Sequence, residues 1–528
     1  MKNTSALFSI GLDFGTLSVR AVLVSASTGE VVGRSEAVYP GGCMEVEKGY
    51  ALSDPKDYLE CMVKAVHELM NESGTEPEQV IAIGVDATSS TVLPVDEALR
   101  PLSERTEFQD HPQALVKLWK HHGGEAECPR ILEAAEAVPG LLSSYGGHVS
   151  AEWMLPKVLE TLHKDREVFD KTAWFMEAAD WITSRLLGRP VLSVCTMGFK
   201  AFYKNGQFPP VSFFETLDPA LADFPKRYGS LPITKPGEKA GSLCHEMAEK
   251  LGLCEGIAVG TAMIDAHASF VGGGLQKPGE LMLIMGTSSC ELILTEQECF
   301  VPGIQGIVKD GIVPGFYGIE AGQSAVGDLF DWFVHHMVPG AYEEEARQRG
   351  LSLHQLLSEK MTELPAGTSG LVALDWFNGA RSPLMDFSRT GVIAGLTLST
   401  TPEQIYKALV EATAFGTRWI VETLEKSGVS VTSIMLSGGI PQKNPVISGI
   451  YASILDRPLT LCQSKEASAR GAALLALSAS GSVCGWDMPE RAHEDAKTVF
   501  DPDPQERSAY DELYQRYRRL AEYFQSEK

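Results

Sequence analysis

The chain has 528 residues, more than one hydrophobic core usually serves, so two or three domains are expected. Its 45 Lys and Arg face 69 Asp and Glu, and the formal net charge of −24 disfavours nucleic acid and anionic membranes as partners. The sequence contains neither a signal sequence nor an uncharged apolar run long enough to span a membrane. A cytoplasmic protein is therefore expected.

The cysteines give no indication of a metal site. The chain has 10 of them, scattered from Cys43 to Cys484 without a C-x-x-C pair or a Cys/His cluster. This pattern favours reduced structural thiols over a zinc site or a disulfide framework.

The N-terminal hundred residues predict three strands, a helix and two more strands. "ALFSIGLDFG", "SVRAVLVSA" and "EVVGRSEAVY" are apolar runs separated by turn residues, which is typical of a meander. Asp54 followed by Pro55 predicts the start of a helix, and "QVIAIGVDATSSTVLPVD" predicts two further strands. Together these elements predict a mixed α/β layer.

The same pattern returns about half the chain later. "GELMLIMGTSSCELILTE" again predicts strand, Gly-Thr turn and strand, with Ile284 at the position that Asp13 holds in the first copy. A long helix from Thr401 and a β-α-β-α run from "VTSIMLSGG" to "EASARGAALLALSASG" follow. The sequence therefore predicts an α/β fold with two related domains, residues 1–273 and 274–528, that face each other across a cleft.

Two Gly-Thr turns in matching positions suggest a phosphate site. A glycine lets the backbone approach an anion, and the amides and hydroxyls of "GTLS" and "GTSS" can donate to phosphate oxygens. Taken alone, such a turn is usually just a hairpin. Asp13 lies beside the first turn, and Mg²⁺ prefers one or two carboxylates together with water and phosphate oxygens.

Two other motifs have both a structural and a functional interpretation. Asp265 in "GTAMIDAHAS" is either a helix-capping residue or a general base that accepts a hydroxyl proton during phosphoryl transfer. His267 is more often a core or supporting histidine than a ligand. The Gly438-Gly439 turn is either a purine contact or an ordinary βα connection, and the chain contains neither a P-loop nor a G-x-G-x-x-G motif after a strand.

Taken together, these motifs resemble the FGGY family of carbohydrate kinases. The resemblance runs from "GLDFGTLSVRAVL" to "SARGAALLAL" and includes the C-terminal signature "GVIAGLTLSTTPEQIYKALVE". The N-terminal signature matches less well, although "SAEWMLPKVLETL" keeps its lysine, Lys157. The resemblance implies two actin/hexokinase-like (ribonuclease H-like) ATPase domains, with ATP and Mg²⁺ as cofactors and a homodimer as a common state.

The resemblance also implies roles for individual residues. Asp13 would hold the metal, and Asp265 would be the catalytic base. The phosphate contacts would be Gly15, Thr16, Gly286, Thr287 and Ser288, and the nucleotide contacts Gly322, Gly438, Gly439 and Asn444. The sugar contacts, which rest on "DATSS", "CTMGFKAFY", "MIDAHAS" and "GIEAGQSAVGD", would be Ala87, Lys200, Asp265 and Glu320.

The expected function is ATP-dependent phosphorylation of a primary hydroxyl of a ketopentose, with L-ribulose as the expected substrate. One alternative is a kinase of the same family that acts on D-xylulose, ribitol, D-ribulose or glycerol. A second alternative, from a different class, is an actin- or Hsp70-like ATPase that ignores sugars. Only a charged, Tyr-rich segment, "SAYDELYQRYRRLAEYFQ", follows Gly481, so no appended substrate domain is expected.

Overall fold

A computed structural model describes residues 6–482 and 498–526. Cys484 lies outside the described residues, and the cysteines within them are all free thiols. None of the helices among the described residues is both long enough and apolar enough to cross a membrane.

Within the described residues, each half of the chain builds one large mixed sheet of 7 strands, and its remaining strands form smaller sheets, of 4 and 2 strands in the first half and of 2 strands in the second. The strands of the first half are β1 (Phe8–Phe14), β2 (Ser18–Ser25), β3 (Val31–Val38), β4 (Leu52–Ser53), β5 (Val80–Ala87), β6 (Val92–Val95), β7 (Val116–Lys117), β8 (Trp174–Glu177), β9 (Leu192–Ser193), β10 (Ile233–Thr234), β11 (Lys239–Ser242), β12 (Ala258–Gly260) and β13 (Met263–Ile264). Those of the second half are β14 (Glu280–Met285), β15 (Ser289–Thr295), β16 (Gly306–Lys309), β17 (Tyr317–Gln323), β18 (Val372–Leu374), β19 (Val392–Ala394), β20 (Ser433–Ser437), β21 (Leu459–Leu461) and β22 (Val499–Phe500).

Helices cover both sheets and fill the connections. In the first half they are α1 (Pro55–Ser73), α2 (Cys128–Glu136), α3 (Met154–Lys164), α4 (Arg166–Lys171), α5 (Ala178–Leu187), α6 (Val194–Lys200), α7 (Val211–Leu217), α8 (Phe224–Gly229), α9 (His245–Leu251) and α10 (Asp265–Gly272). In the second half they are α11 (Gly327–Met337), α12 (Gly340–Arg349), α13 (Leu353–Thr362), α14 (Pro402–Lys426), α15 (Gly439–Lys443), α16 (Pro445–Leu455), α17 (Ala467–Ala479) and α18 (Arg507–Ser526).

Local sequence signals fix the ends of the predicted helices. Asp54 accepts a hydrogen bond from the Lys56 amide at 3.0 Å and caps α1, and Gly74 ends that helix in the left-handed region. At the start of α14 the Gln404 side chain accepts from the Thr401 amide at 3.0 Å. The Tyr-rich segment forms α18, whose tyrosines are largely buried against the second half.

The two large sheets share one local topology, which confirms the predicted repeat. In the first sheet, β1 pairs antiparallel with β2 and parallel with β5. In the second sheet, β14 pairs antiparallel with β15 and parallel with β20. The predicted α/β fold is therefore present, with one Gly-Thr hairpin at the same edge of each sheet.

Where the two halves meet, one helix from each half packs against the sheet of the other half. Helix α10, from the first half, shares a hydrophobic cluster with β14 and β15 of the second sheet. Helix α17, from the second half, packs Ala469 and Ala473 against Val22 and Val24 of the first sheet. Packing between these helices and sheets therefore joins the two halves, in addition to the chain connection. The domain boundary near residues 272–274 stays a prediction.

Glycines allow these two helices to cross closely. A Cβ atom at Gly471 would overlap the carbonyl oxygen of Ala268, and one at Gly272 would overlap the carbonyl oxygen of Ala467. Each helix therefore presents a glycine to the backbone of the other. Because neither position has room for a side chain, the two helix axes come closer than side-chain packing would permit.

Candidate active site

A cavity of about 290 Å³ lies between the two halves, where both Gly-Thr hairpins end. It brings together half of the predicted site residues from positions far apart in the sequence. The predicted residues that line it are Thr16, Lys200, Asp265, Gly286, Thr287, Ser288 and Glu320.

The first Gly-Thr hairpin joins β1 to β2. The Gly15 amide donates to the Ser18 carbonyl oxygen at 2.9 Å, which closes the turn. The Thr16 hydroxyl faces the cavity and accepts a hydrogen bond from the indole nitrogen of Trp119 at 3.1 Å. Gly15 itself is not part of the cavity wall among the described residues.

The second hairpin joins β14 to β15 and is held by hydrogen bonds from the start of α11. Its Gly286 carbonyl accepts from the Gly327 amide at 2.9 Å, and its Thr287 carbonyl accepts from the Val326 amide at 2.8 Å. Both donors lie at the start of α11, so this helix fixes the loop. Thr287 and Ser288 line the cavity.

Asp265 is the first residue of α10 and lines the cavity. Its Oδ1 accepts from the Ala266 amide at 2.7 Å. Burial and, after it, the negative charge of Asp13 together raise the pKa of Asp265 to about 7. A carboxylate in this range can accept a proton near neutral pH, which a general base requires.

Lys200 and Glu320 form a buried ion pair between the halves. The Lys200 Nζ lies 2.9 Å and 3.0 Å from the two carboxylate oxygens of Glu320, and Lys200 is only 2% exposed. Lys200 is therefore a buried residue and not a solvated surface lysine. Burial alone would raise the pKa of Glu320, but Lys200 and His267 hold it well below its ordinary value.

His267 contacts the Glu320 carboxylate of this ion pair. Its Nε2 lies 3.1 Å from Glu320, and its Nδ1 lies 3.1 Å from the Cys195 sulfur. Burial lowers the pKa of His267, which favours the neutral ring, and a proton on its Nε2 can be donated to the carboxylate. The buried position of His267 agrees with the core or supporting histidine that the sequence favoured.

Asp13 lies on β1 below the first hairpin rather than in the cavity wall. Its Oδ2 lies 2.6 Å from Arg20, and Arg20 also approaches Glu466 at 3.7 Å. Asp86 is the neighbour of Asp13 on β5, is fully buried, and neither of its carboxylate oxygens has a hydrogen-bond partner among the described residues. Burial, followed by the charge of Asp13, raises the pKa of Asp86 well above its usual range.

This row of charged side chains fits a cation. Arg20 is shared between Asp13 and Glu466, while Asp86 has no counter-charge in contact, so carboxylates outnumber positive groups here. The described residues contain no group of three or more His, Cys, Asp or Glu with metal-binding geometry. A metal at this place would therefore depend on one or two carboxylates together with water and phosphate oxygens, which is the coordination that Mg²⁺ prefers.

The remaining predicted residues lie around the cavity but not in its wall. Ala87 ends β5, pairs with Phe14 and directly precedes Thr88, which does line the cavity. Gly322 on β17 exchanges hydrogen bonds with Ser382, whose amide donates to the Gly322 carbonyl at 2.9 Å.

The other three predicted nucleotide contacts follow β20, the strand that pairs with β14 before the second hairpin. Gly438 has φ = 93° and follows β20, so it lies next to the end of β14, where a Cβ would overlap the Met285 carbonyl. Gly439 begins α15 and faces open space. Asn444 caps α16, and its side-chain amide donates to the Ser358 hydroxyl at 2.6 Å, so its position is already explained by local structure.

The sequence did not single out several residues of the cavity wall. Arg381 and Glu152 form an ion pair of 3.1 Å between the halves, and Trp119 reaches the first hairpin. Thr88 and Ser89 were inside a quoted motif but had no assigned role. All of these residues lie outside the regular elements, where periodicity gives no signal.

Comparison with known families decides the class of protein. Residues 8–272 match the model of the N-terminal domain of the FGGY family of carbohydrate kinases, and residues 281–480 match that of its C-terminal domain. The chain belongs to the FGGY family of carbohydrate kinases. This confirms the predicted family and favours a kinase, with ATP as phosphoryl donor, over an actin- or Hsp70-like ATPase.

Individual relatives in this family agree over nearly the whole length. The chain is 43% identical to a ribulokinase of Halalkalibacterium halodurans, covering 98% of this chain and 95% of that protein. It is 42% identical to a ribulokinase of Bacillus licheniformis, covering 96% and 95%. Among solved structures, a xylulose kinase from Rhodospirillum rubrum superposes with a TM-score of 0.80 at 24% identity, covering 98% and 99% of the two chains, which shows the shared fold.

Proposed function

We propose that the chain is an ATP-dependent kinase that converts L-ribulose to L-ribulose 5-phosphate in arabinose breakdown. The single observation that carries this proposal is the cavity between the two Gly-Thr hairpins. It places Asp265, with a pKa of about 7, beside the Lys200–Glu320 pair. The choice of L-ribulose is supported by the 42–43% identity to proteins named ribulokinase.

The sugar contacts follow from hydrogen-bonding capacity. A polyol needs both donors and acceptors, and Lys200 donates while Glu320 accepts. His267 orients the Glu320 carboxylate through a hydrogen bond of 3.1 Å, so the acceptor keeps its direction when a sugar hydroxyl arrives. Ala87 would contribute through the backbone turn that leads to Thr88.

The chemical step is proton removal coupled to in-line attack. Asp265 takes the proton of the sugar hydroxyl as its oxygen attacks the γ-phosphorus of ATP, and the bond to the β,γ-bridging oxygen breaks. Gly15, whose amide is already bonded to the Ser18 carbonyl, would let the backbone approach the transferred phosphoryl group. Thr16 and Thr287 line the cavity, and their hydroxyls would donate to that group. Their fixed positions stabilise charge without reorganisation during the step.

The metal is proposed as Mg²⁺, which Asp13 would hold through its carboxylate; Asp86, the neighbour of Asp13 on β5, adds a second buried carboxyl group. When bound, the metal neutralises charge on the phosphate oxygens. The fit rests on the excess of buried carboxylates described above.

The nucleotide contacts at Gly322, Gly438, Gly439 and Asn444 remain part of this proposal. A cytoplasmic location and a homodimer stay predictions as well.

The decisive experiment measures ADP release by the purified protein with Mg·ATP and one sugar at a time. The panel is L-ribulose, D-ribulose, D-xylulose, ribitol and glycerol. Preferential turnover of L-ribulose supports the proposal to the level of the substrate. Preferential turnover of another polyol keeps the mechanism and overturns the substrate, and ATP turnover that ignores every sugar overturns the kinase assignment.

A further inference from the structure

Two backbone segments form one wall of the cavity. The first contains Thr88 and Ser89, just after β5, and the second contains Trp119, just after β7. Neither segment is part of a regular element. Trp119 also donates to the Thr16 hydroxyl at 3.1 Å, so the second segment reaches the first Gly-Thr hairpin. The position of this wall therefore bears on both the sugar pocket and the phosphate loop.

Lys157 of α3 lies directly behind both segments. It is fully buried, and its Nζ donates to the carbonyl oxygens of Ser90, of Leu118 at 2.8 Å and of Lys117 at 3.5 Å. The acceptors are the residue that follows Ser89 and the two residues that precede Trp119. One ammonium group thus joins the two segments and uses its three donors on them.

One of these acceptors has an unusual backbone. Ser90 has φ = 55°, in the left-handed region that non-glycine residues rarely adopt. Such a conformation persists when surrounding contacts determine it, and it is common beside functional sites. The hydrogen bond from Lys157 to the Ser90 carbonyl is one such contact, and the Thr91 amide, which donates to Glu177 at 3.0 Å, is a second.

We propose that Lys157 is a positioning residue for the sugar pocket, because its hydrogen bonds hold, as a clamp, the segment that carries Thr88 and Ser89 against the segment that carries Trp119. The inference rests on the proposed sugar-kinase function. It gives a role to a lysine that touches neither the cavity nor a phosphate loop. Burying an ammonium group costs free energy, so a lysine at this place is better explained by the geometry that it enforces than by stability.

A neighbouring lysine provides a matched control. Lys117 is 2% exposed, and its Nζ donates to Gln113 at 2.5 Å, Thr161 at 2.6 Å and the Lys157 carbonyl at 2.9 Å, besides pairing with Glu160. None of these partners lines the cavity. Replacing Lys117 removes a buried lysine of the same region while leaving its backbone carbonyl, and so the clamp, available.

The experiment compares Lys157→Met, Lys157→Gln and Lys117→Met in the full chain. We expect Lys157→Met to raise the sugar KM about tenfold or more and to lower kcat, since small displacements of positioning groups are costly. The ATP KM should rise much less than the sugar KM, because the second hairpin and its α11 support are untouched and only the Trp119–Thr16 hydrogen bond links the wall to the first hairpin. Lys157→Gln, which can still donate to one carbonyl, should be intermediate, and Lys117→Met should lower thermal stability with an unchanged sugar KM.

Hydrogen exchange on the unliganded proteins tests the clamp without relying on activity. Faster exchange confined to residues 86–91 and 116–120 in the Lys157 variants supports the inference. Uniformly faster exchange, or a sugar KM raised equally by Lys117→Met, overturns it in favour of a general packing role. If Lys157→Met does not fold, the same comparison is made with Lys157→Gln.

The proposed function and the positioning role of Lys157 can be overturned separately. Wild-type protein that turns over no sugar in the panel overturns the proposed function, and this inference with it. Wild-type protein that is active, with Lys157 variants of normal sugar KM and normal exchange, overturns the inference alone.

Discussion

The two Gly-Thr hairpins occupy the same place in their sheets, but the side chains beside them differ in charge. Beside the first hairpin, Asp13 is paired across the sheet with Arg20 on one side and Asp86 on the other. Beside the second, Ile284 is paired with Cys290 and Ser437. A repeated fold thus carries a charged row in one copy and an uncharged row in the other.

Under the proposed function, this difference separates two tasks of the phosphate site. The uncharged hairpin offers amides and hydroxyls, and α11 holds it rigid through hydrogen bonds to Gly286 and Thr287. The charged hairpin adds carboxylates, which repel phosphate unless a cation lies between them. A single cleft therefore needs the carboxylates in one half only, and the two halves can specialise without losing their common topology.

The largest expected effect is that of Asp265, the proposed base, which the first half supplies. Asp265→Asn should lower kcat about 100- to 10,000-fold, because the amide cannot accept the hydroxyl proton. Nucleotide binding, measured by calorimetry with ADP, should be retained. The control is Glu411→Gln on α14 of the second half, a buried carboxyl whose pKa burial also raises to about 7 but which does not line the cavity. Near-normal turnover in Asp265→Asn would contradict the assignment.

The next effect concerns the link between the halves. Lys200→Met leaves the Glu320 carboxylate buried without its counter-charge, and we expect the sugar KM to rise about 100-fold. Steady-state kinetics with varied sugar and saturating ATP measure this effect. Lys204→Met is the control, because Lys204 pairs with Glu298 outside the cavity wall. An unchanged sugar KM would place the substrate elsewhere.

The charged row itself is tested by metal titration. Asp13→Ala should raise the Mg²⁺ concentration for half-maximal activity about 10- to 100-fold, because a carboxylate that faces the metal is lost. Ile284→Ala, the equivalent change in the other hairpin, should leave this concentration unchanged. Equal titration curves for the two variants would remove the functional distinction between the hairpins. Binding of Mn²⁺, followed by electron paramagnetic resonance, gives a readout that does not depend on turnover.

The smallest effect is the dependence on pH. Asp265 acts when deprotonated, and its pKa is raised to about 7, so kcat/KM should fall about tenfold between pH 8 and pH 6. Asp13 is the second cause of this shift, after burial. Removing its charge in Asp13→Ala should therefore move the acidic limb of the residual activity to lower pH. A limb that stays in place would show that the two carboxylates do not interact.

The sequence predicted the parts of the fold that have strong local signals. The strands around both hairpins, the caps of α1 and α14, and the repeat itself follow from alternation, capping residues and Gly-Thr turns. Asp265, Lys200 and Glu320 could be placed in one site because a family resemblance joined positions that are distant in the sequence. Whether they act as predicted is for the experiments above to decide.

Other features of the site had no such signal. Asp86 lies in an ordinary strand pattern, and its missing partner becomes visible only when β1 and β5 are paired. Arg381 and Trp119 come from connections without periodicity, and Lys157 was noticed as part of a signature without any indication of what it contacts. The exchange of α10 and α17 was also missed, because an amphipathic pattern shows that a face is buried but not against which sheet.

That exchange has a consequence for how the protein is made. The Ser9 hydroxyl on β1 donates to the Ala473 carbonyl of α17, a residue 464 positions later in the chain. During synthesis, the first sheet leaves the ribosome long before the helix that covers one of its faces. Contacts of such sequence separation slow folding and leave apolar surface open to aggregation in the meantime. Nascent chains truncated before α17 should therefore be bound by chaperones, even if the sequence of their first half folds readily in the full-length protein.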